Sequence, residues 1–298
     1  MLLKIIVTGA TGWIGRSALE AIDRSFPGNI ELIGISRSPK LLTLDSGRIV
    51  KLVTKNDKSI QQNIIGIVHA AFPTQNLITH MGPDKYNSEC DTLLNWLRDF
   101  LQISKPDWLI SISSGVLSVG NSSDPRHSGD LALYSKWKKI EENIALESSI
   151  KSVLIGRLFS ASGRFMTKPK SYALGDFVTS GILGETICIR SLRESKRSYI
   201  DAEEFLGVLL KSVKMNERLV IDSSGTVLSM VELATIVQKF FPKSTLEVPS
   251  NLQSGSDDYF SRDPLRFEIL AKTSNIEISG IDEQISRTIT GIMKSSQF

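Results

Sequence analysis

The sequence predicts an α/β protein with a doubly wound parallel sheet and a smaller C-terminal α/β lobe. Over residues 1–160, short apolar runs alternate with stretches of helical periodicity, which is typical of strands joined by crossover helices. The first apolar run, residues 5–8, breaks directly into three spaced glycines and then into a helical pattern. Beyond residue 160 the alternation loosens. We therefore expect one domain over residues 1–160 and a second over residues 161–298, packed closely enough to interleave.

The same patterns predict the individual elements. Pro106 ends a long amphipathic helix, and a buried strand that closes on hydroxyl residues follows it. Ser229 stands three residues before Glu232, which is the spacing of a capping box at a helix start. Strands are predicted at residues 5–8, 30–37, 48–53, 64–71, 108–115, 153–159, 186–190 and 218–222, helices after Gly15 and at 84–104, 131–146, 202–213 and 229–241, and loops at 120–130 and 164–170.

Composition narrows the class of protein. The 298 residues are 41% hydrophobic and 22% charged, and no apolar run approaches the roughly 20 residues that span a bilayer. Residues 1–4 lead straight into the glycine loop, so we expect a cytoplasmic protein without a signal peptide or a membrane partner. The 35 basic and 32 acidic residues nearly balance, which gives no nucleic-acid signature. Cys90 and Cys188 lie far apart in unlike contexts and are expected to be core residues, with no metal site.

The glycine loop indicates a dinucleotide-binding, Rossmann-type site. Gly9 permits a sharp turn, Gly12 lets backbone amides approach a pyrophosphate, and Gly15 lets the helix pack closely on the strand. Its place after a β-branched strand and before a helix favours this interpretation over an ordinary turn. The fourth predicted strand also closes on small residues, where a backbone passes close to a cofactor. Residues expected to bind the cofactor here are Gly9, Thr11, Gly12, Trp13, Ile14, Gly15, Ala70 and Ala71.

The end of the second strand bears on the choice of cofactor. An acidic residue there accepts hydrogen bonds from a free ribose 2′-hydroxyl, whereas this chain has Ser36 and Arg37, which suit a 2′-phosphate. The sequence therefore favours NADP, with NAD as the alternative if Arg37 is only an exposed residue at a strand end. His69, at the end of the fourth strand, is expected to be a packed, hydrogen-bonded histidine and not a catalyst.

Tyr134 and Lys138 lie four residues apart on a predicted helix and so share one face. An ordinary tyrosine has a pKa near 10, but a neighbouring cation stabilises the phenolate and makes the side chain usable as a proton donor and acceptor for an alcohol and carbonyl couple. Tyr134 and Lys138 are also expected to bind the cofactor, Lys138 through the hydroxyls of the nicotinamide ribose, and Ser114 can orient the substrate oxygen. The alternative is that the pair lies on a charged helix face exposed to solvent. It is disfavoured because a glycine loop and a strand ending in serine precede the pair.

These motifs in this order resemble the extended short-chain dehydrogenase/reductases of the NAD-dependent epimerase/dehydratase family, which act mostly on nucleotide sugars. The resemblance covers nearly the whole chain. It implies that Tyr134 is the acid/base, that Lys138 is its electrostatic partner and ribose ligand, and that Ser114 is the third catalytic member. It further implies that Arg197 contacts a nucleotide diphosphate, and that the two long helices form a homodimer. The matching segments are Gly9 to Gly15, His69 to Ala71, Ser113 to Ser114, Tyr134 to Glu142, Arg157 to Gly163 and Arg197 to Glu204.

The chain also departs from the family pattern. The expected Tyr-Gly pair after the catalytic hydroxyl is replaced by residues 119–120, one position farther from Ser114, which leaves Ser113 and Ser114 as alternatives. Gly115 and Val116 stand where sugar dehydratases have an acidic pair, which argues against dehydration. Ser160, taken here as a substrate-binding residue, replaces a common Asn.

The sequence therefore predicts an NAD(P)-dependent oxidoreductase or epimerase that transfers a hydride at C4 of a nucleotide-linked sugar. Arg37 favours a reductase, because a reductase consumes reduced cofactor and NADPH is its usual supply. Two alternatives remain: a non-catalytic NADP-binding sensor or scaffold, and a reductase of a non-sugar carbonyl compound. Arg197 argues against the second of these. Arg190 and Arg193 fit a solvated basic face as well as a ligand site.

Overall fold

The computed structural model describes residues 3–28, 30–119, 129–213, 216–253, 255 and 258–295. The chain divides into two compact units: the first is Met1–Leu158 with Leu206–Ile221, and the second is Phe159–Phe205 with Asp222–Phe298. The strands are β1 (Leu3–Thr8), β2 (Ile30–Ile35), β3 (Lys40–Thr43), β4 (Ile49–Val53), β5 (Ile64–His69), β6 (Trp108–Ser114), β7 (Ser152–Leu158), β8 (Ser160–Ser162), β9 (Ile187–Cys188), β10 (Lys196–Asp201), β11 (Arg218–Asp222), β12 (Thr226–Ser229) and β13 (Leu246–Glu247). The helices are α1 (Trp13–Ser25), α2 (Asn76–Met81), α3 (Pro83–Ser104), α4 (Gly129–Glu147), α5 (Ala173–Leu183), α6 (Ala202–Ser212), α7 (Met230–Phe240), α8 (Leu265–Thr273) and α9 (Ile281–Ser295).

The first unit is built on an eight-stranded sheet in the order β11-β7-β6-β5-β1-β2-β4-β3. From β1 the parallel pairing proceeds through β2 and β4 on one side and through β5, β6 and β7 on the other. The strand order therefore reverses at β1, and ligands of such sheets bind at the carboxyl ends of the strands at this point. The doubly wound α/β fold that the sequence predicts is confirmed.

Burial explains why the central strands were readable from the sequence. Ile5, Ile6, Val7, Ile67 and Val68 are completely buried, because helices cover both faces of a parallel sheet and its strands become continuous apolar runs. By contrast β3, an edge strand antiparallel to β4, was not predicted. Its Leu41 is 69% exposed, so the strand lacks a buried face and carries no alternating pattern.

The second unit has a sheet of its own, in the order β12-β10-β8, and a two-stranded pair of β9 and β13. Helix α9 is joined to this sheet by Gln284, which is fully buried. The Gln284 amide nitrogen donates to the Tyr199 carbonyl at 3.3 Å, and its amide oxygen accepts from the Ser162 hydroxyl at 2.7 Å. Helices α5, α8 and α9 were missed by the sequence prediction, although Ile281, Ile285 and Ile292 do form a buried stripe on α9.

Several smaller predictions have outcomes here. Cys90 is buried, as expected, but Cys188 is only partly buried, so its assignment to the core was wrong; both are free thiols.

The predicted loop at 120–130 lies mostly outside the described residues, as does Gly120 of the pair at 119–120. Within the described ranges, no helix has the length and apolar character needed to cross a bilayer, and no group of three or more His, Cys, Asp or Glu side chains is arranged to hold a metal ion.

The predicted capping box at the start of α7 is confirmed. The Ser229 hydroxyl accepts from the Glu232 amide at 3.1 Å, and the Glu232 carboxylate accepts from the Ser229 amide at 2.7 Å. These two bonds satisfy backbone donors that the first turn of a helix leaves without a partner.

Replacing Ser229 by Ala is expected to lower the local stability of α7 by about 1 kcal/mol, because the first turn loses its side-chain acceptor. Native-state amide hydrogen exchange at α7 measures this change. Ser229→Asp keeps an acceptor and is the matched control, for which exchange is expected to stay close to wild type. Equal exchange in the Ala and Asp variants would contradict the role assigned to the hydroxyl.

Candidate active site

The glycine loop joins β1 to α1 in a conformation that only glycine fits well. Gly9 has a φ of +66°, and a Cβ on Gly15 would lie 2.1 Å from the Gly9 carbonyl oxygen. Gly12 is the N-cap of α1 and has no side chain, so the first-turn amides of the helix have no side-chain acceptor at that residue to which they could donate. Thr11 and Gly12 are exposed. A helix start of this kind, open at its N-terminus, fits the pyrophosphate of a dinucleotide.

Thr8 ties the loop to the end of β5. Its hydroxyl oxygen accepts from the Ala70 amide at 3.1 Å and from the Ala71 amide at 3.2 Å. The same hydroxyl lies 2.8 Å from Nδ1 of His69, the neighbouring residue on β5. His69 is completely buried, so the prediction of a packed, hydrogen-bonded histidine is confirmed. The two strand ends that flank the loop are thus held together by side-chain hydrogen bonds as well as by the sheet.

Ser36 and Arg37 follow directly after β2. The Ser36 amide donates to the Val53 carbonyl at 2.9 Å, and its hydroxyl donates to the Ser38 carbonyl at 2.6 Å. The Arg37 side chain is exposed and makes no hydrogen bond or ion pair within the part of the chain that the structure describes. Its guanidinium is therefore available to an anionic group near the end of β2.

Tyr134 and Lys138 both lie on α4, in contrasting surroundings. Tyr134 is half-buried, and its ring packs edge-on against Phe72 with 6.1 Å between ring centroids. The Lys138 side chain is buried, with 3% of the residue exposed. Its ammonium donates to the Ile112 carbonyl at 2.9 Å and to Oε2 of Glu141 at 2.5 Å, and lies 4.1 Å from the centre of the Phe72 ring. The alternative of a solvated helix face is therefore excluded for Lys138.

The two candidate hydroxyl residues end β6. Ser113 is 4% exposed and Ser114 is 8% exposed, and successive residues of a strand face opposite sides of the sheet. The Ser114 hydroxyl accepts from the Val116 amide at 3.4 Å and caps the short 3-10 helix Gly115–Leu117. Both residues lie at the carboxyl end of β6, so Ser113 and Ser114 both remain candidates for the catalytic hydroxyl.

A buried ion pair holds α4 against β7. Arg157 donates from Nε to one oxygen of Glu142 at 2.7 Å and from Nη2 to the other at 2.8 Å. Burial alone raises the pKa of the Glu142 carboxyl, but the hydrogen bonds and charge of Arg157 outweigh it and hold that pKa below its usual value. This bidentate pair fixes the helix that carries Tyr134 and Lys138.

Sequence reasoning missed Glu141. The residue is 1% exposed, with one carboxylate oxygen on Lys138 and the other, Oε1, 3.2 Å from Nε2 of His69. A signal existed, because Glu141 follows Lys138 by three residues and Tyr134 by seven and therefore shares their helical face.

The remaining predicted residues lie in the second unit. Arg197 and Ser160 are on β10 and β8, and Ser160 pairs in register with Tyr199. Arg197 is half-buried, and its Nε atom is buried without a hydrogen-bond partner among the described residues. Arg190 is exposed, and its Nη1 lies 3.2 Å from Oδ2 of Asp176. The first unit therefore brings together the glycine loop, Ala70, Ala71, Ser36, Arg37, Ser113, Ser114, Tyr134 and Lys138 at the carboxyl edge of one sheet, while Ser160 and Arg197 belong to the other unit.

Glu142→Gln is expected to cost about 3 kcal/mol of folding stability at neutral pH, because it leaves Arg157 without its counter-charge. Since the folded-state pKa of Glu142 is lowered, the contribution of the pair is complete above the usual carboxyl pKa of 4.5 and is lost as pH falls through the folded value. Urea unfolding at a series of pH values should show the gap between wild type and variant narrowing in acid. Glu147→Gln, an exposed site on the same helix, is the control, and a gap that does not depend on pH would contradict the assignment.

No family model matches the chain, and no curated protein matches it either. Solved structures do match over almost its full length. A UDP-glucuronic acid 4-epimerase from Bacillus cereus, in complex with UDP-glucuronic acid and NAD, aligns at 14% identity with a TM-score of 0.73 and covers 98% of this chain and 100% of its own. A UDP-N-acetylglucosamine 4-epimerase from Methanobrevibacter ruminantium aligns at 15% identity with a TM-score of 0.73, covering 99% and 100%.

A third structure is the NAD-dependent NDP-hexosamine 5,6-dehydratase TunA, which aligns at 15% identity with a TM-score of 0.74 and covers 97% of both chains. At such identities the likeness establishes the fold alone. The chain therefore has the doubly wound, Rossmann-type α/β fold of these two epimerases and this dehydratase, which is the fold class that its sequence predicts.

Proposed function

We propose that the protein is an NAD(P)-dependent enzyme that transfers a hydride at a carbinol or keto carbon, C4 by expectation, of a nucleotide-linked sugar. The observation that carries this proposal is the buried, hydrogen-bonded ammonium of Lys138 one helical turn from Tyr134, at the end of the sheet where the glycine loop lies. A cation so placed lowers the pKa of a tyrosine and lets it exchange a proton near neutral pH.

Each residue has a role in this reaction. The α1 amides and the glycine loop bind the cofactor pyrophosphate, and the nicotinamide, when bound, supplies or accepts the hydride. Tyr134 gives its phenolic proton to the oxygen of a keto group, or takes the proton of a hydroxyl group when the reaction runs the other way. Lys138 stabilises the phenolate, and the hydroxyl of Ser114, or in the alternative that of Ser113, orients the sugar oxygen.

Arg197 supports a nucleotide diphosphate as the rest of the substrate. Its Nε and the buried hydroxyl of Tyr199 have no hydrogen-bond partner among the described residues. The two residues are two apart on β10 and so share one face of the strand. Burial raises the pKa of Tyr199, so that its hydroxyl stays protonated and can donate. Both groups suit an anion, and Ser160 lies in register beside Tyr199. UDP-sugars are bound in the related complexes, which agrees with this choice.

Arg37 supports a reductase that uses NADPH. Its exposed guanidinium, at the position where a ribose 2′-hydroxyl is usually met by an acid, suits a 2′-phosphate. The second candidate is an epimerase that retains NAD. The structures that share this fold include a 4-epimerase in complex with NAD. Dehydration is disfavoured by Gly115 and Val116, which supply no acidic pair after the hydroxyl residues.

The proposal predicts that the purified protein oxidises NADPH when it is mixed with a nucleotide-linked 4-keto sugar, followed by the absorbance of the reduced nicotinamide and by mass analysis of the product. Under the second candidate, NADPH is not consumed, NAD remains bound, and a saturated UDP-sugar is converted to its C4 epimer. If none of these sugars reacts in either way and a simple ketone is turned over, the nucleotide-sugar substrate is contradicted.

Tyr134→Phe is expected to lower kcat by about 100-fold or more, because the proton donor is removed, while cofactor affinity stays close to wild type. Tyr172→Phe, which removes a hydroxyl from the second unit, is the control. A kcat that stays at the wild-type value in Tyr134→Phe would contradict the role of Tyr134 as proton donor. The non-catalytic sensor or scaffold is favoured if the biological activity of the protein survives this substitution.

Arg37→Ala is expected to weaken NADPH binding by about 10-fold or more, with little change for NADH, because only the 2′-phosphate is bound by the guanidinium. Fluorescence titration with each reduced cofactor gives the two dissociation constants. The exposed Arg24 provides the control variant Arg24→Ala. An unchanged ratio of the two constants would remove the support for NADP and for the reductase.

A further inference from the structure

Four side chains form a buried polar chain in the first unit: Thr8, His69, Glu141 and Lys138. The Thr8 hydroxyl is 2.8 Å from His69 Nδ1, His69 Nε2 is 3.2 Å from Glu141 Oε1, and Glu141 Oε2 accepts from Lys138 at 2.5 Å. All four residues are at most 3% exposed. The proposed reaction uses only Lys138 among them, and so the other three require an explanation.

The hydrogen bonds determine which nitrogen of His69 carries the proton. The Thr8 oxygen already accepts from two backbone amides, which occupies both of its lone pairs. Its own proton is therefore donated to His69 Nδ1, and the neutral ring must carry its hydrogen on Nε2, the atom that faces Glu141. The geometry across this 3.2 Å contact is too bent for a full hydrogen bond, but the N–H dipole still points a positive end toward the carboxylate.

Lys138 cannot remain charged in this place without a counter-charge. Removing an ammonium from water costs several kcal/mol, and an unpaired buried lysine gives up its proton, with a pKa that can fall by several units. The Ile112 carbonyl and the Phe72 ring supply only partial negative charge. A neutral Lys138 would not stabilise the phenolate of Tyr134.

The groups that face Glu141 leave it as the source of that charge. On its own helix it faces Lys138, on β5 it faces His69, and on α3 it interacts with Tyr86 and Cys90. Burial raises the pKa of the Cys90 thiol to about 11 and raises that of Tyr86 as well, so both are neutral near pH 7. Of these groups only Glu141 is a carboxylate, and its Oε2 accepts from the Lys138 ammonium.

We propose that Glu141, buried between Lys138 and His69, is a positioning residue that keeps Lys138 protonated and fixed on the face of α4 that carries Tyr134. This inference rests on the proposed role of Lys138 in lowering the pKa of Tyr134. It assigns to the Lys138 side chain a buried carboxylate support that reaches the end of β1 through His69 and Thr8.

The test measures the pKa of Tyr134 without cofactor or turnover. The pH titration of tyrosinate absorbance in wild type, minus the same titration in Tyr134→Phe, isolates Tyr134 from the other four tyrosines. Repeating the subtraction in a Glu141→Gln background gives the effect of the carboxylate. We expect the Tyr134 pKa to rise by about one unit or more in Glu141→Gln, because Lys138 loses its proton and no longer stabilises the phenolate.

Two further variants make the result specific. Glu147→Gln removes an exposed charge from the same helix and is expected to leave the Tyr134 pKa unchanged. Glu141→Asp keeps the charge but withdraws it by one carbon, so the Tyr134 pKa should lie between the wild-type and Glu141→Gln values; this variant also serves if Glu141→Gln does not fold. An unchanged or lowered Tyr134 pKa in the folded Glu141 variants would overturn the proposal.

The outcome is separable from that of the proposed function. If no sugar nucleotide is turned over but the Tyr134 pKa responds to Glu141, the positioning role stands and the substrate assignment fails. If turnover is found and the Tyr134 pKa does not respond, only the role of Glu141 fails. Where turnover is found, Glu141→Gln should also move the pH profile of kcat to higher pH with little change in KM.

Discussion

The first unit is organised around one buried side-chain nitrogen, Nζ of Lys138. Lys138 sits where three elements meet: it donates to the backbone of β6, pairs with Glu141 on its own helix, and lies against Phe72, which follows β5. A charge in such a place costs free energy unless every donor is satisfied. The ends of β5 and β6 and the register of α4 are therefore constrained together, and these are the elements that carry the proposed chemistry.

A second ion pair, between Glu142 and Arg157, also holds α4 in place. Glu142 follows Glu141 directly, and because adjacent residues of a helix point in different directions, the two carboxylates face different strands. Glu142 accepts from Arg157 on β7, while Glu141 faces His69 on β5. The Arg157 pair and the bond from Lys138 to the Ile112 carbonyl of β6 restrain the rotation of α4 as well as its distance from the sheet. Such restraint matters for Tyr134, since proton transfer requires its oxygen to lie within hydrogen-bond reach of the substrate.

The predictable parts of the site are those whose signal is local. The glycine loop, the apolar strands and the spacing of Tyr134 and Lys138 can all be read within a few residues of sequence, because backbone approach and helical periodicity act over that range. The capping box at Ser229 is equally local. Glu141 could not be predicted with the same ease, because its partner His69 comes from β5 and only the folded sheet brings them together. A carboxylate on a helix is usually solvated, and the spacing of Glu141 from Tyr134 and Lys138 places it on their face of the helix without showing that this face is buried.

The second unit was harder to predict for a related reason. Its sheet combines β8, β10 and β12 from separate parts of the chain, and β13 contains only two residues, too few to establish a period. Arg197 was identified only by resemblance. The structure adds a physical argument that the motif lacks: the Nε of Arg197 and the hydroxyl of Tyr199 are buried donors without partners in the described chain. Unsatisfied buried donors cost free energy, and an anionic ligand that accepts from both would recover it. Under the proposed function, that anion is the diphosphate of the nucleotide-linked sugar.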